Sequence, residues 1–403
     1  MINLKKIRKA ILTAVWFMFL TFPLMVMKVN TIENTVQWRW INLAYIGISA
    51  FIFSLFWEDL LKRRDNIASK DKKKSINNKI SRKLENKKIR NISLFVLILI
   101  VVLFPFIMSM YQTSIITTAL MYVVLGLGLN IVVGFGGLLH LGYAAFYAVG
   151  AYTYGLLYYH FGLSFWLCLP LGALFSALFG IILGFPILRL RGDYLAIVTL
   201  AFGEITKLVL ENWNDFSFGP SGIANIPRPM FFGIKLKLAE VTNFTYFIAI
   251  GLTILTIIVI KRLESSKIGR AWEAMREDEI ACQSMGIDIT KAKLTAFSMG
   301  AVWAGIMGVL FAAKTTFINP ASFTTWESIV ILCVVVIGGM GSIPGVIVGA
   351  LIFILTPEYL RAFSEYRMLI FGLALVIMMI FRPGGIIPKI RKTHQFKVKE
   401  VKE

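Results

Sequence analysis

Residues 113–134 read Thr113-Ser-Ile-Ile-Thr-Thr-Ala-Leu-Met-Tyr-Val-Val-Leu-Gly-Leu-Gly-Leu-Asn-Ile-Val-Val-Gly134, 22 positions without one charged residue, histidine or proline. About 20 apolar residues in a helix suffice to cross a hydrocarbon core roughly 30 Å thick. Eleven comparable runs flank this one, near 10–29, 40–57, 93–111, 140–159, 164–187, 193–211, 244–261, 292–313, 326–340, 343–360 and 367–381. Several are short or interrupted by glycine or proline, which marks them as candidate half-helices or re-entrant pieces. Over all 403 residues, 57% are hydrophobic and 16% charged, with a mean hydropathy of +0.74. No soluble core hides that much apolar surface. Disorder, a coiled coil, a secreted disulfide scaffold and an ordinary cytosolic enzyme are excluded. The expected fold is an all-α polytopic membrane protein with about 10 core transmembrane helices plus 2 N-terminal ones, some of them discontinuous.

The formal net charge of +20 is a topological signal. Met1–Lys9, Glu58–Asn91 and Arg382–Glu403 contribute +4, +8 and +5, and each flanks a long apolar run. Lysine and arginine cluster on the cytoplasmic side of membrane proteins, so all three segments, and both termini, are placed inside. Two runs separate the first pair of basic segments, six lead on to the charged stretch 261–293, and four return the chain to its basic tail. That path leaves 212–243 outside and 261–293 inside. The basic 58–91 loop suits anionic lipid headgroups. No basic patch interleaves with base-stacking aromatics, so nucleic acid is not an expected partner.

Chemistry on a substrate is not expected. Cys168, Cys282 and Cys333 are isolated, only three histidines occur, and there is no metal spacing, nucleophile with base, or phosphate-binding glycine loop. No catalytic or metal-binding residue is assigned. His140, alone beside a glycine cluster, reads as a packing or surface residue. Ionisable residues inside the runs are sparse. Glu204 and Lys207 are three apart on one helical face, which suits either a structural ion pair or a passage lining. Lys314 and Glu327 stand at run ends. The glycines crowded at 126–155 and at 338–349 fit close helix packing or an unwound passage equally well.

The 261–293 segment has seven basic and six acidic residues and is nearly neutral beside the basic loops. Ile268, Trp272 and Met275 recur at helical spacing. A short helix then opens on Glu277, Asp278 and Glu279 and closes at Gly286, with Asp288 or Thr290 placed to cap the next membrane helix. A mixed-charge helix pair of this kind is a candidate docking surface for another protein.

Acids, then Ala281, then Gly286 resemble the coupling-loop motif of permease subunits in bacterial ABC importers. From about Ile92 to Pro388 the chain resembles M-type permeases of branched-chain amino-acid importers. Five stretches carry the likeness: Gly126–Asn130 through Gly142–Tyr152; Leu188–Thr199 with Gly203-Glu204; Arg270-Ala-Trp272 through Gly286; Gly338-Gly-Met-Gly-Ser-Ile-Pro-Gly345; and Tyr366–Met368 through Phe381–Gly384. The resemblance implies a core at 92–388, a two-span extension at 1–91 and a basic tail at 389–403. It further implies a second, H-type permease subunit, two ABC ATPase subunits on the cytoplasmic face, and an extracytoplasmic substrate-binding protein. ATP would be bound by those partner subunits, with no cofactor in this chain. Arg270, Trp272, Arg276, Glu277, Asp278, Glu279, Ala281 and Gly286 become the ATPase-coupling loop. Asn130, Gly137, Gly142, Tyr143, Phe146, Thr199, Glu204, Gly338 and Gly339 become the candidate translocation path. Related permeases move urea, short amides or other amino acids, which is the alternative substrate class. The stretch Ser217-Phe-Gly-Pro-Ser-Gly-Ile223 departs from the family, which more often reads Thr-Gly-Gly-Pro-Asn-Gly-Ile there, at Phe218 and Ser221.

Overall fold

The computed structural model describes residues 101–359 apart from 188–189, 191 and 231–236, part of 369–389, and scattered positions between 11 and 48. The basic loop 58–91 and the tail from 390 onward, with the topology assigned to them, lie outside the described residues. The chain divides into two compact units, Met1–Leu97 and Ile98–Glu403.

In the first unit, β1 (Met27–Asn30) and β2 (Thr35–Trp38) pair antiparallel, with Val29 opposite Val36 and Met27 opposite Trp38. This hairpin corrects the all-α expectation for that unit and cuts into the run at 10–29. Val, Thr and Trp at these positions prefer the pleated backbone.

The second unit is helical. Its elements are α1 (Met110–Asn130), α2 (Tyr143–Phe161), α3 (Phe165–Ile187), α4 (Asp193–Asn212), α5 (Leu238–Glu264), α6 (Lys267–Glu277), α7 (Glu279–Ser284), α8 (Ile289–Thr315), α9 (Thr325–Gly338) and α10 (Ile343–Tyr359). Ser109 starts α1 with a capping box: its hydroxyl accepts from Gln112 N, and Gln112 Oε1 accepts from Ser109 N. α1 runs on into a π-helical turn, Ile131–Phe135. Five helical segments among the described residues are long and apolar enough to cross a membrane: Met110–Phe135, Phe165–Pro186, Leu238–Glu264, Ile289–Thr315 and Pro320–Gly338. Within the last of these, α9 has only 14 residues, about 21 Å at 1.5 Å per residue. It is shorter than the hydrocarbon core.

Helix α8 is the axis of the bundle, packed on α1, α2 and α3. Its small residues allow that contact. A Cβ on Gly150 of α2 would fall 2.1 Å from the Gly305 carbonyl oxygen, one on Gly305 2.4 Å from Gly172 O of α3, and one on Gly308 2.2 Å from Tyr147 O. No side chain fits between these backbones, so here the glycines serve helix packing. α9 and α10 meet in the same way, with Gly338 against Gly345 O and Gly349 against Val334 O. The chain then returns to the end of α9, where Ile386 N and Ile387 N donate to Ile337 O and Gly338 O.

Contacts sort the loops into two ends. Gly134, the Gly339–Gly341 turn, α6 and Lys389 gather at one end. At the other, Ile223 pairs with Ile318, and the Tyr154 hydroxyl donates to Pro227 O. The charge-parity path gives the same partition.

Candidate functional site

Helices α6 and α7 form a bent lever on the first of those ends. Ser266 caps α6, its hydroxyl accepting from Gly269 N. Trp272 and Met275 are buried, whereas Ile268 is 42% exposed, so two of the three stripe residues face inward and Gly269 takes the third buried place. The Trp272 indole N–H donates to Ala292 O at 2.9 Å, pinning α6 to the start of α8. The chain breaks at Asp278, which is extended. Its carboxylate accepts from Ile280 N at 2.8 Å and Ala281 N at 3.0 Å and so begins α7. Gly286, at φ +82, ends that helix. Asp288, not Thr290, caps α8 by accepting from Lys291 N, and that backbone bond, more than the Lys291 charge, holds its carboxyl below its ordinary range. Glu279 pairs at 3.0 Å with the buried Lys293 of α8. On the outer face, Ile280 and Met285 are 63% and 82% exposed. An apolar pair is thus presented by the anchored lever, Ile280 on α7 and Met285 at its C-cap.

The base of the lever reaches into the bundle. The Arg276 guanidinium donates to Gly134 O in the π turn. Gly137, at φ +70, lies so close that a Cβ there would be 2.7 Å from Arg276 Cγ. Asn130, fully buried, accepts from Gly341 N at 2.8 Å and ties α1 to the turn between α9 and α10. Lys389 pairs with Glu264 at 2.9 Å and with Glu273, and its ammonium sits 4.7 Å from the centre of the Phe135 ring. Sequence reasoning passed over Lys389, which it read only as part of a basic tail. A cavity of about 1020 Å³ opens here, with Lys261, Arg270, Glu273, Arg276 and Lys389 in its lining. Arg270 donates to Ser265 O, and Glu277 lines the same cavity.

The candidate passage residues fall into three groups. Tyr143, Phe146 and Thr199 are fully buried. The Tyr143 hydroxyl donates to Gly300 O, Thr199 Oγ1 accepts from Leu141 N, and a Cβ on Gly142 would meet Thr199 O at 2.0 Å. These residues, with Asn130, join α1, α2, α4 and α8. Gly338 and Gly339 join α9, α10 and the returning chain. Glu204 stands apart, half-buried on α4, accepting from the Thr325 hydroxyl at the start of α9. The proposed Glu204–Lys207 pair does not form: Lys207 pairs with Glu211 one turn further on, at 3.6 Å. His140 is fully buried among Tyr143, Phe146 and Phe297, ring centres 5.3–5.9 Å away, the place of a packing residue. The tyrosine hydroxyl of Tyr122 donates to Glu327 at 2.6 Å, and Lys314 donates to Ser114 O at 3.0 Å and to the Thr118 hydroxyl. Composition flags Lys314 and Glu327 as ionisable, but their partners on α1 lie about 200 positions away in sequence.

At the opposite end, Phe218 has φ 62, the left-handed region. A glycine at this position would be unstrained there. The Phe218 ring packs on Tyr159 with centroids 4.9 Å apart.

Residues 111–379 match the family model described as the permease component of the branched-chain amino acid transport system. The chain is 47% identical over 329 residues to the high-affinity branched-chain amino acid transport system permease protein LivM of Salmonella typhimurium, covering 77% of each chain. It is 43% identical over 387 residues to LivM of Escherichia coli, covering 91% of this chain and 88% of that one. The permease protein LivH of Escherichia coli is more distant, 22% identical over 290 residues. No solved structure matches.

Proposed function

The chain belongs to the branched-chain amino acid transport permease family, and from that premise we propose that it is the M-type permease subunit of an ATP-driven importer for leucine, isoleucine and valine. It is a multi-pass membrane protein, placed by this reading in the bacterial inner or plasma membrane with both termini in the cytoplasm. The observation that carries the mechanism is the lever: an exposed apolar pair, Ile280 and Met285, at the α7 end of a helix pair whose α6 is anchored through Trp272 and Arg276 and whose α7 is anchored through the Glu279–Lys293 ion pair. Two ABC ATPase subunits, which bind the ATP, would hold α7 in a surface cleft. When they close, α6 moves with α7, and Arg276 passes the displacement to the π turn of α1 and the Gly339–Gly341 turn.

Relatedness to both LivM and LivH supports an H-type permease as the other half of the path. An extracytoplasmic substrate-binding protein would deliver the ligand to the end that carries Phe218. In this reading Asn130, Gly137, Gly142, Tyr143, Phe146, Thr199, Gly338 and Gly339 shape the passage by fixing the helices around it, and Glu204 faces it. The 1–91 segment is an extension to the 92–388 core, and its basic 58–91 loop suits anionic lipid headgroups. Leucine and urea uptake by the reconstituted assembly, with binding protein and ATP, tests this function. Leucine uptake without urea uptake supports it. Urea uptake without leucine uptake overturns the substrate, and uptake without ATPase subunits overturns the class.

A further inference from the structure

Helix α9 stops at Gly338, and the last carbonyls of a helix have no partner within it. Gly339 N takes Val335 O, but Ile337 O and Gly338 O accept from Ile386 N at 2.8 Å and Ile387 N at 3.1 Å. Gly385, at φ +84, lets the two backbones meet: a Cβ there would stand 2.5 Å from Gly339 Cα. On α10, a Cβ on Gly345 would stand 2.8 Å from Ile387 O. Residues 384–389 therefore form a strap seated on the α9–α10 turn. The stretch Phe381-Arg-Pro-Gly384, which the coupling loop and the passage leave without a role, leads into it.

Two residues past Ile387, the strap reaches the lever. The Lys389 ammonium pairs with Glu264, the last residue of α5, at 2.9 Å and with Glu273 of α6. One cation thus closes the α5–α6 corner from both sides, and without it the two carboxylates would repel one another across that corner. The side chain is held along its length. A Cβ on Gly341 would stand 3.3 Å from Lys389 Cδ, and the ammonium lies 4.7 Å from the centre of the Phe135 ring. From Ile387 to Lys389 the backbone extends at most about 7 Å, and Pro388 fixes its own φ. The connection has no slack. Strap and lever also line one cavity of about 1020 Å³, so a lever that moves must draw the strap with it or break the Lys389 pairs.

We propose that 384–389 is a second transmission link, through which movement of the lever reaches the last turn of α9, with Lys389 as its positioning residue. Arg276 works through Gly134 O in the π turn of α1. The strap instead grips the final carbonyls of α9, the helix too short to span a bilayer, and it is bound to the lever through Glu264 and Glu273. The link rests on the importer reading and names a further part of its coupling machinery.

The test uses the full importer in vesicles with ATP and binding protein, reading leucine uptake, ATP hydrolysis and Tm together. Lys389→Met should keep the ATPase subunits bound and ATP hydrolysis within twofold of wild type, while leucine carried per ATP falls at least fivefold. Lys389→Glu and Glu273→Lys should each lower that ratio at least as far. The double variant, which keeps one ammonium among two carboxylates, should recover at least half of it. Inserting two glycines between Ile387 and Pro388 keeps every contacting group but adds slack; it should lower leucine per ATP at least fivefold with Tm unchanged. A wild-type ratio in both Lys389→Met and the insertion variant, even with a lowered Tm, overturns the link, because a mere staple would change stability alone. No recovery in the double variant overturns the pairing of Lys389 with Glu273 as its lever-side grip. Wild type without ATP-driven leucine uptake overturns the importer reading itself, an outcome distinct from normal wild-type uptake with unaffected variants.

Discussion

Gly137→Ala is the sharpest perturbation of the proposed lever. Gly137 has φ +70, where an L side chain costs about 1–2 kcal/mol. The new methyl would stand 2.7 Å from Arg276 Cγ, 3.1 Å from its Cβ and 3.3 Å from its Cα. Carbon contacts are comfortable at about 3.5–4.0 Å, so α6 must back away by several tenths of an ångström or more, and overpacking of this kind costs about 1–3 kcal/mol. The combined strain is about 2–5 kcal/mol, and 2 kcal/mol already changes a two-state ratio about 30-fold. If α6 yields, the Arg276 bond to Gly134 O is lost and the lever loosens. ATP hydrolysis by the reconstituted assembly should then persist while leucine transported per ATP falls at least tenfold. The steric origin is checked by a double-mutant cycle in Tm: Gly137→Ala with Arg276→Ala should be less destabilised than the two single effects added together. Additive Tm shifts, or unchanged leucine per ATP, would refute the reasoning.

Three further outcomes are expected. Asp278→Ala removes both acceptor bonds at the start of α7, a loss of about 1 kcal/mol, and should cut uptake, whereas Asp278→Ser keeps a capping oxygen and should retain it; equal uptake by the two variants counts against the cap. Ile280→Glu or Met285→Glu, at sites 63% and 82% exposed, should leave Tm unchanged yet reduce co-purification of the ATPase subunits at least tenfold, and full recovery of those subunits contradicts the docking face. Phe218→Val should unfold at a lower temperature than Phe218→Gly, because a β-branched residue at φ 62 carries about 1–2 kcal/mol of strain; equal Tm values reject that strain.

What the sequence made legible follows from local rules. Apolar runs about as long as a bilayer needs foretold α1, α3, α5 and α8, and an acid-to-glycine pattern foretold α7, because caps and positive φ leave local signatures. Gly150, Gly172 and Gly305 were visible as small residues, but only their carbonyl contacts separate packing from passage. Helical spacing allowed Lys207 to pair at i−3 or i+4, and Glu211 won because tertiary contact took Glu204 to Thr325. The α1 partners of Lys314 and Glu327 depend on which helices touch, which periodicity does not encode. The hairpin at Met27–Trp38 was hidden because Val, Met and Trp serve a membrane helix and a strand equally well in an apolar count.

Leucine uptake is the most direct measure of the central claim, that this chain couples ATP hydrolysis on one side of the membrane to amino-acid passage through it. In vesicles holding this chain, its partner permease and the ATPases, with binding protein outside, uptake should require internal ATP and should fall with the coupling variants. Uptake that proceeds without ATP, or that is unchanged in Gly137→Ala, Asp278→Ala and Ile280→Glu alike, would contradict it.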